Sequence, residues 1–149
     1  DPLCLDHYLS AVQLQPDNLD YKYALGYAYG EFGKERQAMK IYDEMINQDD
    51  TFFEAYCQTG QILQFKYNEL DSALYYYSEV VEKDKNHLDA YVNMGIAYQD
   101  KGDITNALKN YAIALAIKPE ERNPMVSLNQ FNEQQSLARE RADELKKKL

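Results

Sequence analysis

Apolar residues recur along most of this chain at intervals of three and four positions, which is the spacing of one face of an α-helix. In one clear stretch, Ile104, Leu108 and Tyr111 fall on a single helical face. No stretch keeps the period-two alternation that a half-buried strand requires. Turn residues separate the apolar stretches, as at Gly33 and at Gly102-Asp103, where Asp103 is suited to cap the next helix. The pattern therefore predicts an all-α protein.

The helical pattern itself repeats with a period of 34 to 35 residues. Three glycines inside predicted helices, Gly26, Gly60 and Gly95, are 34 and then 35 residues apart. An alanine followed four residues later by a tyrosine recurs at 35 and then 34 residues, as Ala38 with Tyr42, Ala73 with Tyr77 and Ala107 with Tyr111. Each unit reads as two helices that cannot bury their apolar faces alone, so the units must stack into an α-solenoid.

Two local features of the units carry structural expectations. A glycine inside a helix costs about 1 kcal/mol, so we expect each helix glycine to let paired helices approach closely opposite the small alanine of its unit. The second unit lacks the turn glycine, and Asn68 is expected to cap its second helix.

The repeat resembles the tetratricopeptide repeat, whose 34-residue unit carries an aromatic residue, Leu-Gly, a tyrosine, an alanine, a second aromatic residue and a closing proline. The third unit, which closes on Pro119, matches best, whereas the first has Lys22 in place of the leading aromatic residue and the second has Thr59 before its glycine. The resemblance implies a single domain with a C-terminal capping helix that begins at Pro124. Its parts are the second helix of a partial repeat (1–18), three repeats (19–52, 53–87 and 88–121) and the cap (122–149).

Composition narrows the function. The formal net charge of -9 argues against nucleic acid and against anionic membrane surfaces, which require Lys and Arg. No apolar run reaches the roughly 20 residues that span a bilayer. Cys4 and Cys57 form no metal motif or disulfide framework, which favours a reducing compartment such as the cytoplasm. His7 and His87 are isolated, so we expect no catalytic activity, no metal and no cofactor.

The resemblance also implies a binding surface, because the first helices of tetratricopeptide repeats line a concave groove. The outward positions of these helices form an acidic rim with aromatic and amide groups inside it, and they lack the basic residues with which some relatives clamp a carboxylate. A neutral to basic peptide or helix of a partner protein would suit such a groove. The partner-binding positions that follow from the resemblance are Asp20, Tyr23, Tyr27, Glu31, Glu54, Gln61, Gln64, Phe65, Asp89, Asn93, Gln99 and Asp100.

Three functional hypotheses follow from the sequence. The leading one is a protein-binding scaffold that takes a partner segment in its groove. The second is a self-association module that forms homo-oligomers through the C-terminal helix or through the N-terminal helix, which lacks its partner helix and leaves an apolar face. The third is an accessory domain of a larger enzyme or of a secretion or chaperone system. Some of the tyrosines are also explained by core packing alone.

Overall fold

A computed structural model describes residues 2–149, and the described residues form helices and no strands, which confirms the all-α prediction. A single turn of 3₁₀ helix at Pro119–Glu121 precedes the last helix. The eight α-helices of the described chain are α1 (Pro2–Leu14), α2 (Leu19–Glu31), α3 (Glu35–Gln48), α4 (Phe53–Phe65), α5 (Leu70–Lys83), α6 (Leu88–Asp100), α7 (Ile104–Ala116) and α8 (Leu128–Lys147).

The helices stack in chain order as a solenoid. The hairpins α2–α3, α4–α5 and α6–α7 are the most extensively packed pairs, and each hairpin packs on the next. α1 packs on α2, and α8 covers α7 and α6 at the other end. Apolar clusters fill the space within and between the hairpins, so the core runs along the stack and has no single centre.

The helix glycines make room for tyrosine rings. A Cβ placed on Gly95 would lie under 3.0 Å from three ring atoms of Tyr111, whose side chain is completely buried. The same arrangement joins Gly26 to Tyr42 and Gly60 to Tyr77. The atoms nearest each helix glycine therefore belong to the tyrosine ring that follows the alanine of its unit by one helical turn.

The turns inside the hairpins use a left-handed residue at equivalent positions. These residues are Gly33 (φ 68°), Asn68 (φ 54°) and Gly102 (φ 79°). Asn68 therefore does not cap α5 as expected, because it makes the turn in place of glycine, and Glu69 precedes the helix without a side-chain capping bond. Asp103 caps α7 as predicted, since its Oδ1 accepts a hydrogen bond of 3.1 Å from the backbone N–H of Asn106.

The last helix begins at Leu128, and the prediction of a start at Pro124 is wrong. Ser127 and Gln130 form a capping box there, which satisfies more backbone groups than Pro124 can. Residues 118–127 form a linker in which Met125 is 91% exposed, whereas Val126 packs against the core of the third repeat. The buried residues of the helix are spread along its length, at Phe131, Ala138, Ala142 and Leu145.

Candidate functional site

The first helices of the three hairpins share one surface, and two cavities of the described chain lie along it. We call the larger the acidic cavity, of about 310 Å³, and the smaller the Gly30 cavity, of about 190 Å³. The cavities adjoin, because Gln58 and Gln61 of α4 line both. The acidic cavity is also lined by Tyr23 of α2, by Glu54 and Cys57 of α4, by Leu88, Asp89 and Asn93 of α6, by Asp84, Asn86 and His87, and by Arg122, Asn123, Met125, Val126, Gln130 and Phe131. The Gly30 cavity is also lined by Tyr27, Gly30, Glu31, Glu35, Tyr42, Ile62, Phe65 and Lys66.

Two carboxylates set the electrostatics of the acidic cavity. Asp89 keeps exposed surface but lies in a concavity, where the loss of surrounding water raises the pKa of its carboxyl group; His87 opposes this shift and the Glu54 carboxylate adds to it. Burial raises the pKa of the Cys57 thiol, and Asp89 and Glu54 raise it further. Burial also raises the pKa of Tyr23, against a hydrogen bond from Gln58, with Glu54 again adding to the rise. The contributions of Asp89 and Glu54 disfavour further negative charge, so the cavity suits a cationic group better than an anionic one.

One wall of the acidic cavity comes from the linker before α8, which the sequence did not place at the site. Arg122 holds this linker by donating from Nε to the Val126 carbonyl oxygen at 3.0 Å and from Nη1 to the Pro119 carbonyl oxygen at 2.7 Å. Met125 and Val126 then face the cavity. The sequence predicted a groove surface without Lys or Arg. That prediction is incomplete, because the Arg122 guanidinium lines the acidic cavity. The only sequence signal was Pro119 followed by Pro124, which indicates a bent connection.

The inter-repeat turn before α6 adds a second unforeseen element. His87 precedes α6 and accepts a hydrogen bond of 3.2 Å at Nδ1 from the backbone N–H of Ala90. Its ring meets the edge of Phe53 with 5.8 Å between centroids. The histidine is thereby held as a helix cap beside the cavity, and its sequence position in a turn was the available signal.

The Gly30 cavity has an aromatic entrance. Tyr27 is 50% exposed and Phe65 is 62% exposed, both far more than the buried aromatic rings of the core. At the rim, Lys66 Nζ lies 3.6 Å from Glu35 Oε1. Large exposed aromatic side chains beside a concavity are typical of recognition surfaces.

The structure brings together eight of the twelve partner-binding residues predicted from sequence and separates four from the cavities. Tyr23, Glu54, Gln61, Asp89 and Asn93 line the acidic cavity, and Tyr27, Glu31, Gln61 and Phe65 line the Gly30 cavity. The four that line neither cavity are Asp20, Gln64, Gln99 and Asp100.

Two of those four make hydrogen bonds to other side chains of the protein. Gln64 is 4% exposed, accepts from the Tyr77 hydroxyl at 3.1 Å and donates to Asp100 Oδ2 at 2.8 Å. Gln99 accepts from the Tyr111 hydroxyl at 3.0 Å. These glutamines were assigned to the groove from the resemblance, but the tyrosine of the same hairpin lies close enough to donate a hydrogen bond to each.

Within residues 2–149 no group of three or more His, Cys, Asp or Glu side chains is placed to hold a metal ion. None of the described helices is both long enough and apolar enough to cross a bilayer.

Comparison with solved structures identifies the fold. PcrH from Pseudomonas aeruginosa in complex with the chaperone binding region of PopD has a TM-score of 0.75 at 20% identity, over 90% of this chain and 95% of that chain. MamA has a TM-score of 0.67 at 20% identity, over 96% of this chain and 89% of that chain. YrrB, a TPR protein with an unusual peptide-binding site, has a TM-score of 0.66 at 28% identity, over 78% of this chain and 59% of that chain. No family profile and no curated protein matches the sequence. The chain has the tetratricopeptide repeat fold, which confirms the resemblance drawn from its repeats.

Proposed function

We propose that this protein is a scaffold that binds a segment of a partner protein along α2, α4 and α6. The observation that carries the proposal is the pair of adjoining cavities on this surface, joined through Gln58 and Gln61. The fold supports it as well, because PcrH has been crystallised with a chaperone binding region and YrrB has a peptide-binding site. On this proposal the chain acts by binding alone, without catalysis, a cofactor or nucleic acid.

The charge of the acidic cavity supports a neutral to basic partner. Its lining includes three carboxylates, from Glu54, Asp84 and Asp89, and one guanidinium, from Arg122. The guanidinium is already bonded to two backbone carbonyl oxygens of the linker. A Lys or Arg of the partner would pair with these carboxylates, and it would lie near the Tyr23 ring for a cation–π contact. The two free thiols suit a reducing compartment, so we place this function in the cytoplasm.

A peptide-selection experiment tests the proposal. A displayed library of random dodecapeptides is selected on the wild-type protein, and the selected peptides are measured by fluorescence anisotropy. We expect them to be enriched in Lys and Arg and to lose about tenfold or more in affinity when Glu54→Gln and Asp89→Asn are combined. The control combines Glu133→Gln and Asp143→Asn on the exposed face of α8, away from both cavities. A library that yields no binder, or binders equally affected by both pairs, contradicts the proposal.

A second function, self-association through α1, is favoured by one observation. Helix α1 packs against another helix on one side only, and Leu14 at its end is 83% exposed. On this proposal Leu14→Glu shifts a concentration-dependent dimer to monomer in light scattering. A wild-type protein that stays monomeric at high concentration removes this function and leaves the peptide-binding proposal untouched.

A further inference from the structure

The second and the third hairpin each contain a hydrogen bond from a tyrosine hydroxyl to a glutamine. The Tyr77 hydroxyl donates to Gln64 Oε1 at 3.1 Å, and the Tyr111 hydroxyl donates to Gln99 Oε1 at 3.0 Å. In both hairpins the glutamine follows the helix glycine by four residues, so it lies one helical turn beyond the tyrosine ring. The two hairpins thus fill the same place with a side-chain carboxamide.

The first hairpin leaves this place empty. The residue four positions after Gly26 is Gly30, and no heavy atom lies within 4 Å of where a Cβ of Gly30 would be. The Gly30 cavity occupies this space, and Tyr42, the counterpart of Tyr77 and Tyr111, forms part of its lining.

The hydroxyl of Tyr42 is available to a ligand in this cavity. Tyr42 is 1% exposed, and among the described residues no side chain or backbone group forms a hydrogen bond with its hydroxyl. Burial raises the pKa of this phenol, so the hydroxyl remains a protonated donor at neutral pH. Since no fully buried side-chain polar atom of the described residues lacks a partner, this hydroxyl has access to the cavity. A carbonyl oxygen of a ligand there can accept from it as Gln64 Oε1 accepts from Tyr77.

We propose that the Gly30 cavity binds the side-chain carboxamide of a glutamine in the partner segment, in the place that Gln64 and Gln99 occupy in the other hairpins. Its carbonyl oxygen accepts from Tyr42, and its amide nitrogen faces oxygen atoms of Glu31 and Gln61, which line the same cavity. Tyr27, Ile62 and Phe65 cover the methylene groups. A ligand carboxylate is disfavoured because the carboxylates of Glu31 and Glu35 line the same cavity. Glu35 is paired with Lys66 at the rim, whereas Glu31 is not.

This inference rests on the proposed peptide binding, and it names the partner residue at one of the two cavities. The probes are two fluorescein-labelled nonapeptide libraries, one with glutamine and one with methionine fixed at the central position, measured by anisotropy on the wild-type protein. Methionine has a similar shape and no carbonyl group, so we expect the glutamine library to bind about tenfold more tightly.

Two protein variants test the position of the carboxamide. Gly30→Gln supplies it from within the chain and is expected to bind both libraries with equal affinity, with its helix content checked by circular dichroism. Tyr42→Phe is also expected to lose the preference for glutamine. The matched control is Tyr77→Phe, whose hydroxyl is already bonded to Gln64 and whose loss should leave the preference unchanged.

The outcomes separate the two proposals. If both libraries bind the wild-type protein equally, peptide binding stands and the glutamine site is refuted. If Gly30→Gln weakens both libraries alike while the wild-type protein shows no preference, the cavity takes a backbone carbonyl group and the carboxamide assignment is overturned. If neither library binds, both proposals fail.

Discussion

The contact between the helix glycines and the buried tyrosines predicts that one substitution has opposite effects at two glycines. Gly95→Ala adds a methyl group under 3.0 Å from three ring atoms of Tyr111. Gly30→Ala adds the same methyl group where no heavy atom lies within 4 Å. Both glycines lie in first helices of hairpins, so both substitutions gain about 1 kcal/mol of helix propensity.

The two sites differ in what opposes that gain. At Gly95 the ring must move, and overpacking of a well-packed core costs about 1–3 kcal/mol. Tyr111 is completely buried and its hydroxyl is bonded to Gln99, so a shift also strains a hydrogen bond that contributes about 0.5–1.5 kcal/mol. We expect Gly95→Ala to lower the free energy of unfolding by about 1–3 kcal/mol. Gly30→Ala should raise it by about 0.5–1 kcal/mol, because nothing opposes the propensity gain.

Urea denaturation followed by circular dichroism measures both variants, and the slope of the transition checks that unfolding stays cooperative. A Tyr111→Leu background isolates the cause, because without the ring the added methyl group at position 95 should stabilise the protein. If Gly95→Ala is as stable as the wild-type protein, or equally destabilising in both backgrounds, the close approach of Gly95 and Tyr111 is not what requires the glycine.

Three further predictions concern the turn, the cavity and the cap. Asn68→Gly should raise the free energy of unfolding by about 0.5–1 kcal/mol, because φ at this residue is 54° and glycine adopts this left-handed conformation without the strain of a side chain. Thermal melting measures the gain, and an unchanged melting temperature would contradict this reason. Asp89→Asn should raise the urea midpoint at pH 7, because the folded-state pKa of Asp89 lies above its unfolded value and the ionised carboxylate therefore destabilises the fold. The difference in midpoint between variant and wild type should shrink as the pH falls through the folded-state pKa. A difference that does not change with pH would contradict the assignment. Phe131→Ala should cost about 3–5 kcal/mol and expose the α8 amides to hydrogen exchange, whereas Leu128→Ala, at a residue 49% exposed, should leave the exchange unchanged.

The sequence was informative wherever a structural feature depends on residues close together in the chain. The 34- to 35-residue period, the pairing of helices in each unit and the cap at Asp103 all follow from local spacing, and the structure has them. The start of α8 was missed although its signal was local, because Pro124 and the capping box at Ser127 compete and the box satisfies more backbone groups. Asn68 was misjudged for a related reason, since asparagine serves both as a cap and as a left-handed turn residue.

The lining of the two cavities was predicted only in part, because it depends on which side chains are already engaged by neighbouring helices. Gln64 and Gly30 hold equivalent positions, and the sequence assigned the glutamine to ligand binding. In the folded chain the Tyr77 hydroxyl donates a hydrogen bond to Gln64, whereas Gly30 has no side chain and Tyr42 faces a cavity. The linker with Arg122 and Met125 likewise reaches the acidic cavity only because α8 folds back over α6 and α7.

By itself, the sequence determined that this chain is a stack of helical hairpins, because apolar periodicity and the spacing of glycine and tyrosine are properties of the chain's own order. Only the tertiary structure decided where the stack is left unfilled, because a cavity is the difference between the space that neighbouring helices enclose and the side chains that each of them contributes to it.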